Sequence, residues 1–87
     1  MSELLTTTVR RTGVDLTGYG FRVRGDLAPS GVLWERPEDG TMAVVSADRF
    51  EVTAYHGAEA CRLSGEFPTP DRVARYAEIA AATVVCL

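Results

Sequence analysis

Short segments in which hydrophobic and polar residues alternate recur along the first two-thirds of the chain. The clearest is 50–56, where every second residue is apolar, the pattern of a strand with one buried side. The same alternation predicts strands at 21–24 and, more weakly, at 60–64. The residues expected to face the core from these strands are Phe21, Val23, Phe50, Val52, Ala54, Cys61 and Leu63.

A hairpin is predicted around residues 37–40, whose sequence is Pro-Glu-Asp-Gly. Proline presets φ for a type I turn, and glycine accepts the positive φ that follows such a turn. The turn would join a strand at 32–36 to a strand at 42–46. On the first arm Val32, Trp34 and Arg36 share one face and Leu33 and Glu35 the other, so both faces are expected to be partly covered.

A helix is predicted at 70–82. Thr69 supplies an N-cap hydroxyl, Pro70 suits the first helical position, and Asp71 lies near the positive end of the helix dipole. One helical stripe carries Val73, Tyr76, Ala77, Ala80 and Val84, and we expect it to pack on the sheet against Phe50, Val52 and Val23. The β-branched tail at 83–87 is compatible with helix, strand or coil.

Residues 1–17 give the weakest pattern, which predicts either a loosely ordered segment or a short helix at 3–11 followed by an extended lead-in. Glycine and proline recur about every ten residues, as in antiparallel strands joined by short turns. The sequence therefore predicts one small α+β domain over 1–87: an antiparallel meander of about five strands with a C-terminal helix packed on one face.

Composition narrows the class of protein. The 87 residues are 46% hydrophobic and carry a formal charge of −3, which excludes a disordered chain. No apolar run approaches a membrane span, and residues 1–5 do not resemble a signal peptide, so we expect a cytoplasmic protein without membrane contact. All nine basic residues are arginine, and lysine, asparagine and glutamine are absent, which indicates a GC-rich bacterium or its phage.

Catalytic and metal-binding chemistry is not indicated by the sequence. Cys61 and Cys86 are expected to be reduced, largely buried thiols. His56, the only histidine, could form a nucleophilic set with Cys61 and Asp48, but the alternation directs Cys61 towards the core. The spacing of the histidine and cysteines also lacks the close ligand pairs of structural zinc sites. We therefore expect no enzyme activity, cofactor or metal.

Two groups of residues are candidates for binding a partner. Trp34 is either a core anchor or an interface residue. The second group would line one sheet face with arginines and an aromatic ring, as in single-stranded nucleic-acid binding, and comprises Arg22, Arg24, Arg36, Tyr55 and Arg62. Pairing of these arginines with Glu35, Glu51 and Glu59 is the alternative, and the net acidity argues against nucleic acid.

The function these features favour is a non-enzymatic, cytoplasmic protein–protein interaction module of the immunity-protein, phage-inhibitor or adaptor type. Sheets with a helix on one side leave a face and two edges free for a protein partner. Homodimerisation through the Trp34 side or a strand edge is part of this interpretation. The alternatives are a nucleic-acid-binding domain that uses the arginine face, and a small oligomeric domain that binds a ligand or catalyses a reaction.

Overall fold

A five-stranded antiparallel sheet and one C-terminal helix make up the structure, a computed structural model that describes residues 12–27 and 31–87. The strands follow one another in chain order across the sheet. The elements are a 3₁₀ turn at Thr17–Tyr19, β1 (Arg22–Leu27), β2 (Gly31–Arg36), β3 (Thr41–Val45), β4 (Arg49–His56), β5 (Glu59–Glu66) and α1 (Pro70–Val84). The predicted α+β meander is confirmed, whereas the helix expected at 3–11 lies outside the described residues.

Helix α1 begins where the sequence predicts and ends two residues later. The Thr69 hydroxyl accepts a hydrogen bond from the Arg72 backbone N–H at 3.1 Å, as an N-cap does. At the other end the Thr83 hydroxyl donates to the Ile79 carbonyl at 2.7 Å, and Val84 is buried. The tail left open by the sequence thus remains helical to Val84 because that residue continues the buried stripe.

Two tight turns set the register of the hairpins. Between β2 and β3 the Asp39 and Gly40 amides both donate to the Arg36 carbonyl, and Gly40 has a φ of +76°, which confirms the predicted turn. Between β4 and β5 the two-residue loop is closed by the pair His56 and Glu59. Of the two loop residues only the first, Gly57, has a positive φ, at +62°, which is the geometry of a type II′ turn.

The core lies between the helix and the face of the sheet that we call the inner face. Helix α1 packs mainly over β4 and β5. The ring of Phe50 meets Tyr76 of the helix edge to face, with centroids 4.9 Å apart. The buried apolar residues are Val14, Leu16, Phe21, Val32, Trp34, Ala43, Val45, Phe50, Val52, Ala54, Val73, Ala77, Ala80 and Val84, with Val23, Cys61 and Leu63 partly buried against them.

Gly65 allows the helix to approach β5 closely. It is the register partner of Phe50 on the inner face. A Cβ atom at this position would lie 2.9 Å from Cζ of Phe50 and 3.1 Å from Cε2 of Tyr76. These two rings pack against each other edge to face, so neither ring can move away from a new Cβ atom without weakening this contact between sheet and helix.

We therefore expect Gly65→Ala to lower the free energy of unfolding by about 1–3 kcal/mol through overpacking. Gly18→Ala is the matched control, because a Cβ there meets no atom within 4 Å and its φ is not left-handed. Urea denaturation of both variants measures the difference. Equal stabilities of the two variants would contradict the close packing at Gly65.

Candidate functional site

Trp34 lies in the core. It is fully buried on the inner face of β2, between Val23 of β1 and Ala43 of β3 in register. Its indole Nε1 is buried and has no hydrogen-bond partner within the described part of the chain. Of the two roles that the sequence allowed for Trp34, the structure shows the core anchor and not the interface residue. Packed side chains cover the inner face, and the indole is not on the surface.

Arg36 also lies on the inner face and not among the exposed arginines. Its side chain is only 8% exposed, and three elements contact it. The guanidinium donates to both carboxylate oxygens of Asp39, Nε to Oδ1 at 3.1 Å and Nη2 to Oδ2 at 2.7 Å, and Nη1 donates to Oε2 of Glu78 at 2.6 Å. It also lies over the ring of Phe21, 5.5 Å from the centroid. Arg36 therefore holds the fold together and is not available to a partner.

Charge on Asp39 is stabilised by this pairing. The bidentate bonds from the Arg36 guanidinium lower the pKa of the Asp39 carboxyl to about 2, and the Thr41 backbone N–H donates to Oδ1 at 3.0 Å. The same carboxylate raises the pKa of Arg36. The turn of the first hairpin is thus fixed by a charged pair that stays ionised in mildly acidic solution.

A small cleft of about 270 Å³ lies beside Arg36, between the 3₁₀ turn and the start of α1. The Tyr19 hydroxyl donates to the Asp71 carboxylate across this cleft, and this bond raises the pKa of Tyr19. The other charged groups that line the cleft are Arg75 and Glu78. The Tyr19–Asp71 and Arg36–Glu78 bonds therefore join the 3₁₀ turn and the first hairpin to the helix at this cleft.

The opposite face of the sheet, which we call the outer face, carries the other arginines that the sequence analysis proposed for binding, Arg22, Arg24 and Arg62. Arg22 and Arg24 of β1 both donate to Oε1 of Glu35 on β2, at 3.2 and 2.9 Å. The bond from Arg24, with that from Arg22, lowers the pKa of the Glu35 carboxyl. Both arginine side chains are more than half exposed, so the pairing is solvated.

Arg62 and Tyr55 lie at the other side of the outer face. Arg62 of β5 is 3.9 Å from the Glu51 carboxylate of β4, with both side chains largely exposed. Tyr55 is 52% exposed near the end of β4. The structure thus places Arg22, Arg24, Arg62 and Tyr55 on the outer face, and separates them from Trp34 and Arg36 on the inner face.

An apolar centre lies between these charged groups. Leu33 pairs with Val44 in register, and Met42 pairs with both Glu35 and Thr53, so all five of these side chains face outwards on β2, β3 and β4. Leu33, Met42 and Val44 are partly exposed, and no described element packs over them. Sequence reasoning placed Leu33 on a second covered face but missed Met42 and Val44, which become its neighbours only through the hairpin register.

A depression of about 560 Å³ extends the outer face at the end of β3, the start of β4 and the end of β5. Its lining includes Val44 and Ser64 together with three charged residues, Arg49, Glu51 and Glu66. Arg49 and Glu66 are register partners at the start of β4 and the end of β5. The depression lies beside the apolar centre, so an inserted side chain would meet both apolar and charged groups.

The residues considered for nucleophilic chemistry do not form a site. Cys61 is half-buried on the inner face, and His56 is exposed at the end of β4. No hydrogen bond joins them in the described structure, which also contains no group of three metal-ligating side chains. Cys86 is free and exposed, contrary to the expected burial, because it follows Val84, the last buried residue of α1.

Comparison of the chain with protein-family models, with curated proteins and with solved structures found no match in any of the three. Within residues 12–27 and 31–87, no helix is long and apolar enough to cross a membrane. The functional assignment therefore depends on the geometry of the outer face.

The Arg36–Asp39 pair generates a pH prediction. Because folding lowers the pKa of Asp39 from 3.8 to about 2, the pair stabilises the fold above about pH 4, and this stabilisation is lost as the pH falls towards 2. Asp39→Asn should lower the free energy of unfolding by about 1 kcal/mol at pH 7. This figure is smaller than the shift in pKa alone would give, because the Asp39 carboxylate is more than a third exposed and solvent screens the pair.

Urea denaturation between pH 7 and pH 2 measures this effect. The difference between wild type and Asp39→Asn should shrink as the solution is acidified. Glu38→Gln, one residue earlier on the exposed part of the turn, is the control and should behave as wild type throughout. A difference between wild type and Asp39→Asn that does not change with pH would show that the pair contributes little.

Proposed function

We propose that the protein is a non-enzymatic interaction module that binds a protein partner through the outer face of its sheet. The observation that carries the proposal is the apolar centre of Leu33, Met42 and Val44, which is partly exposed and bounded by solvated ion pairs. An apolar centre inside a polar rim is the usual arrangement of a protein interface. Tyr55 adds an exposed aromatic ring, a side chain enriched at such interfaces.

The charges on the outer face support a protein partner over a nucleic acid. Arg22 and Arg24 share the carboxylate of Glu35, and Arg62 lies near Glu51. Binding to phosphates would require these arginines to exchange carboxylate partners for phosphates, with a glutamate left close to the backbone of the nucleic acid. A protein surface can instead keep the ion pairs at the rim and cover the apolar centre.

The depression on the outer face indicates the side chain that the partner contributes. Its lining contains two carboxylates, Glu51 and Glu66, and one arginine, Arg49. A basic side chain of the partner that enters the depression would therefore lie among two carboxylates and next to the apolar side chain of Val44. We favour a module of the immunity-protein, phage-inhibitor or adaptor type that binds its partner in a bacterial cytoplasm. The use of arginine for every basic residue, which indicates a GC-rich genome, supports a bacterial or phage origin.

Val44→Arg tests this proposal, because it places a charge in the apolar centre while the side chain remains on the outer face. Ala82→Arg makes the same charge change on the exposed side of α1 and is the matched control. Each variant and the wild type serve as bait in nuclease-treated lysate of a GC-rich bacterium. We expect a protein that wild type and Ala82→Arg capture and Val44→Arg does not.

Titration with the purified partner should then show that Val44→Arg weakens binding about 30-fold or more, the factor of a central interface residue. Thermal unfolding checks that all three baits are equally folded. The proposal is overturned if folded Val44→Arg captures the same proteins as wild type. Micromolar binding to single- or double-stranded oligonucleotides that weakens steeply with salt would favour the nucleic-acid alternative.

A further inference from the structure

We propose a second interaction surface, the free edge of β5, and infer that its partner is β5 of a second copy of this chain. The two strands would pair antiparallel about a two-fold axis at Ser64 and join two sheets into one of ten strands. This inference is separate from the proposed function, since strand pairing uses the backbone groups of β5, although Arg62 and Glu66 beside them also border the outer face.

Strand β5 is the more regular of the two sheet edges. It pairs with β4 without interruption from Glu59 to Glu66, and within the described structure it has a neighbour on one side only. The opposite edge, β1, is interrupted by a register shift between Val23 and Gly25. Bulges protect edges from pairing, whereas a long, regular edge is a template for another strand.

The hairpin geometry shows which backbone groups are available. The two-residue turn is closed by His56 and Glu59, which exchange both hydrogen bonds. Odd-numbered residues of β5 therefore bond to β4. The N–H and C=O groups of the even-numbered residues point to the free edge, and these residues are Ala60, Arg62, Ser64 and Glu66.

Charge complementarity selects the register in which these groups meet their copies. A two-fold axis at Arg62 would place two arginines opposite each other, and an axis at Leu63 would place Arg62 opposite Ser64 of the second copy. An axis at Ser64 places Arg62 opposite Glu66 of the second copy, and does so twice by symmetry. Opposite charges directly across a strand pair are stabilising and like charges destabilising, so the axis at Ser64 is favoured.

Exposed apolar side chains along the same edge support a second copy. Phe67 follows β5 directly, is 75% exposed, and has a φ of +58°, a costly conformation for a bulky residue. The axis at Ser64 brings Phe67, one residue beyond the end of β5, near Cys61 of the second copy. Ile79 of α1 is 49% exposed and lies one turn after Tyr76, whose ring packs on Phe50 and whose Cε2 atom lies close to Gly65 of β5.

Charge reversal tests the register. Arg62→Glu and Glu66→Arg each turn two attractive pairs into two repulsive ones, so each should weaken dimerisation about 10- to 30-fold. An equimolar mixture of the two variants should dimerise again, since every repulsive pair becomes attractive in the heterodimer. Sedimentation velocity across a range of concentrations measures the dissociation constants of Arg62→Glu, of Glu66→Arg and of their mixture. Arg75→Glu, on the exposed side of α1, is the control and should dimerise as wild type.

Disulfide cross-linking provides a second readout. In a background of Cys61→Ala and Cys86→Ser, Ser64→Cys should form a covalent dimer on mild oxidation, because Cα atoms of a directly opposed pair lie about 5.5 Å apart. Ala60→Cys in the same background should not, since the two copies of residue 60 would be separated by about 27 Å along the strands.

Wild type that stays monomeric at millimolar concentration overturns the inference, as does a mixture of Arg62→Glu and Glu66→Arg that fails to recover. Cross-linking through residue 60 in place of residue 64 would also overturn it. Val44→Arg should dimerise as wild type, because Val44 is on β3 and away from the edge. Wild type that captures the partner but stays monomeric, or that dimerises but captures no partner, therefore separates failure of one proposal from failure of the other.

Discussion

Burial of the Arg36 guanidinium imposes a constraint that three parts of the chain satisfy together. A buried cation is tolerated only when it is paired, and this one takes Asp39 from the hairpin turn and Glu78 from the middle of α1. Phe21, from the segment that leads into β1, covers the guanidinium. The turn, the helix and the N-terminal lead-in therefore have one relative arrangement in which the charge is compensated.

The residues on the two faces of the sheet therefore have different roles. The inner face is closed by α1 and by Val14, Leu16 and Phe21, so its aromatic and charged residues act in folding. The outer face keeps its arginines in solvated pairs and exposes an apolar centre, and among the described residues no strand pairs with the outer edge of β5. A chain of this mass buries about 63% of its unfolded surface. Binding through either free surface would add to that burial.

Local sequence patterns were sufficient to predict the strands and the helix, but not the contacts between residues that are far apart in the sequence. Alternation predicted the strands, and the cap at Thr69 predicted the start of α1, because both depend on neighbouring residues. Trp34 remained open, since alternation assigns residues to a shared face without showing which layer covers that face. The Arg36–Glu78 bond joins residues 42 positions apart, and no local pattern encodes it. The apolar centre likewise exists only after β2, β3 and β4 are in register.

The two proposed surfaces meet at Arg62, which makes them compatible. On its own chain Arg62 lies near Glu51 on the outer face, and in the edge-paired dimer it would also face Glu66 of the second copy. Paired residues of adjoining strands point to the same side of a sheet, so the outer faces of two copies would form one surface across ten strands. The helices would share the other side. A dimer of this kind presents two partner-binding centres in fixed orientation, which favours a partner that is itself two-fold symmetric.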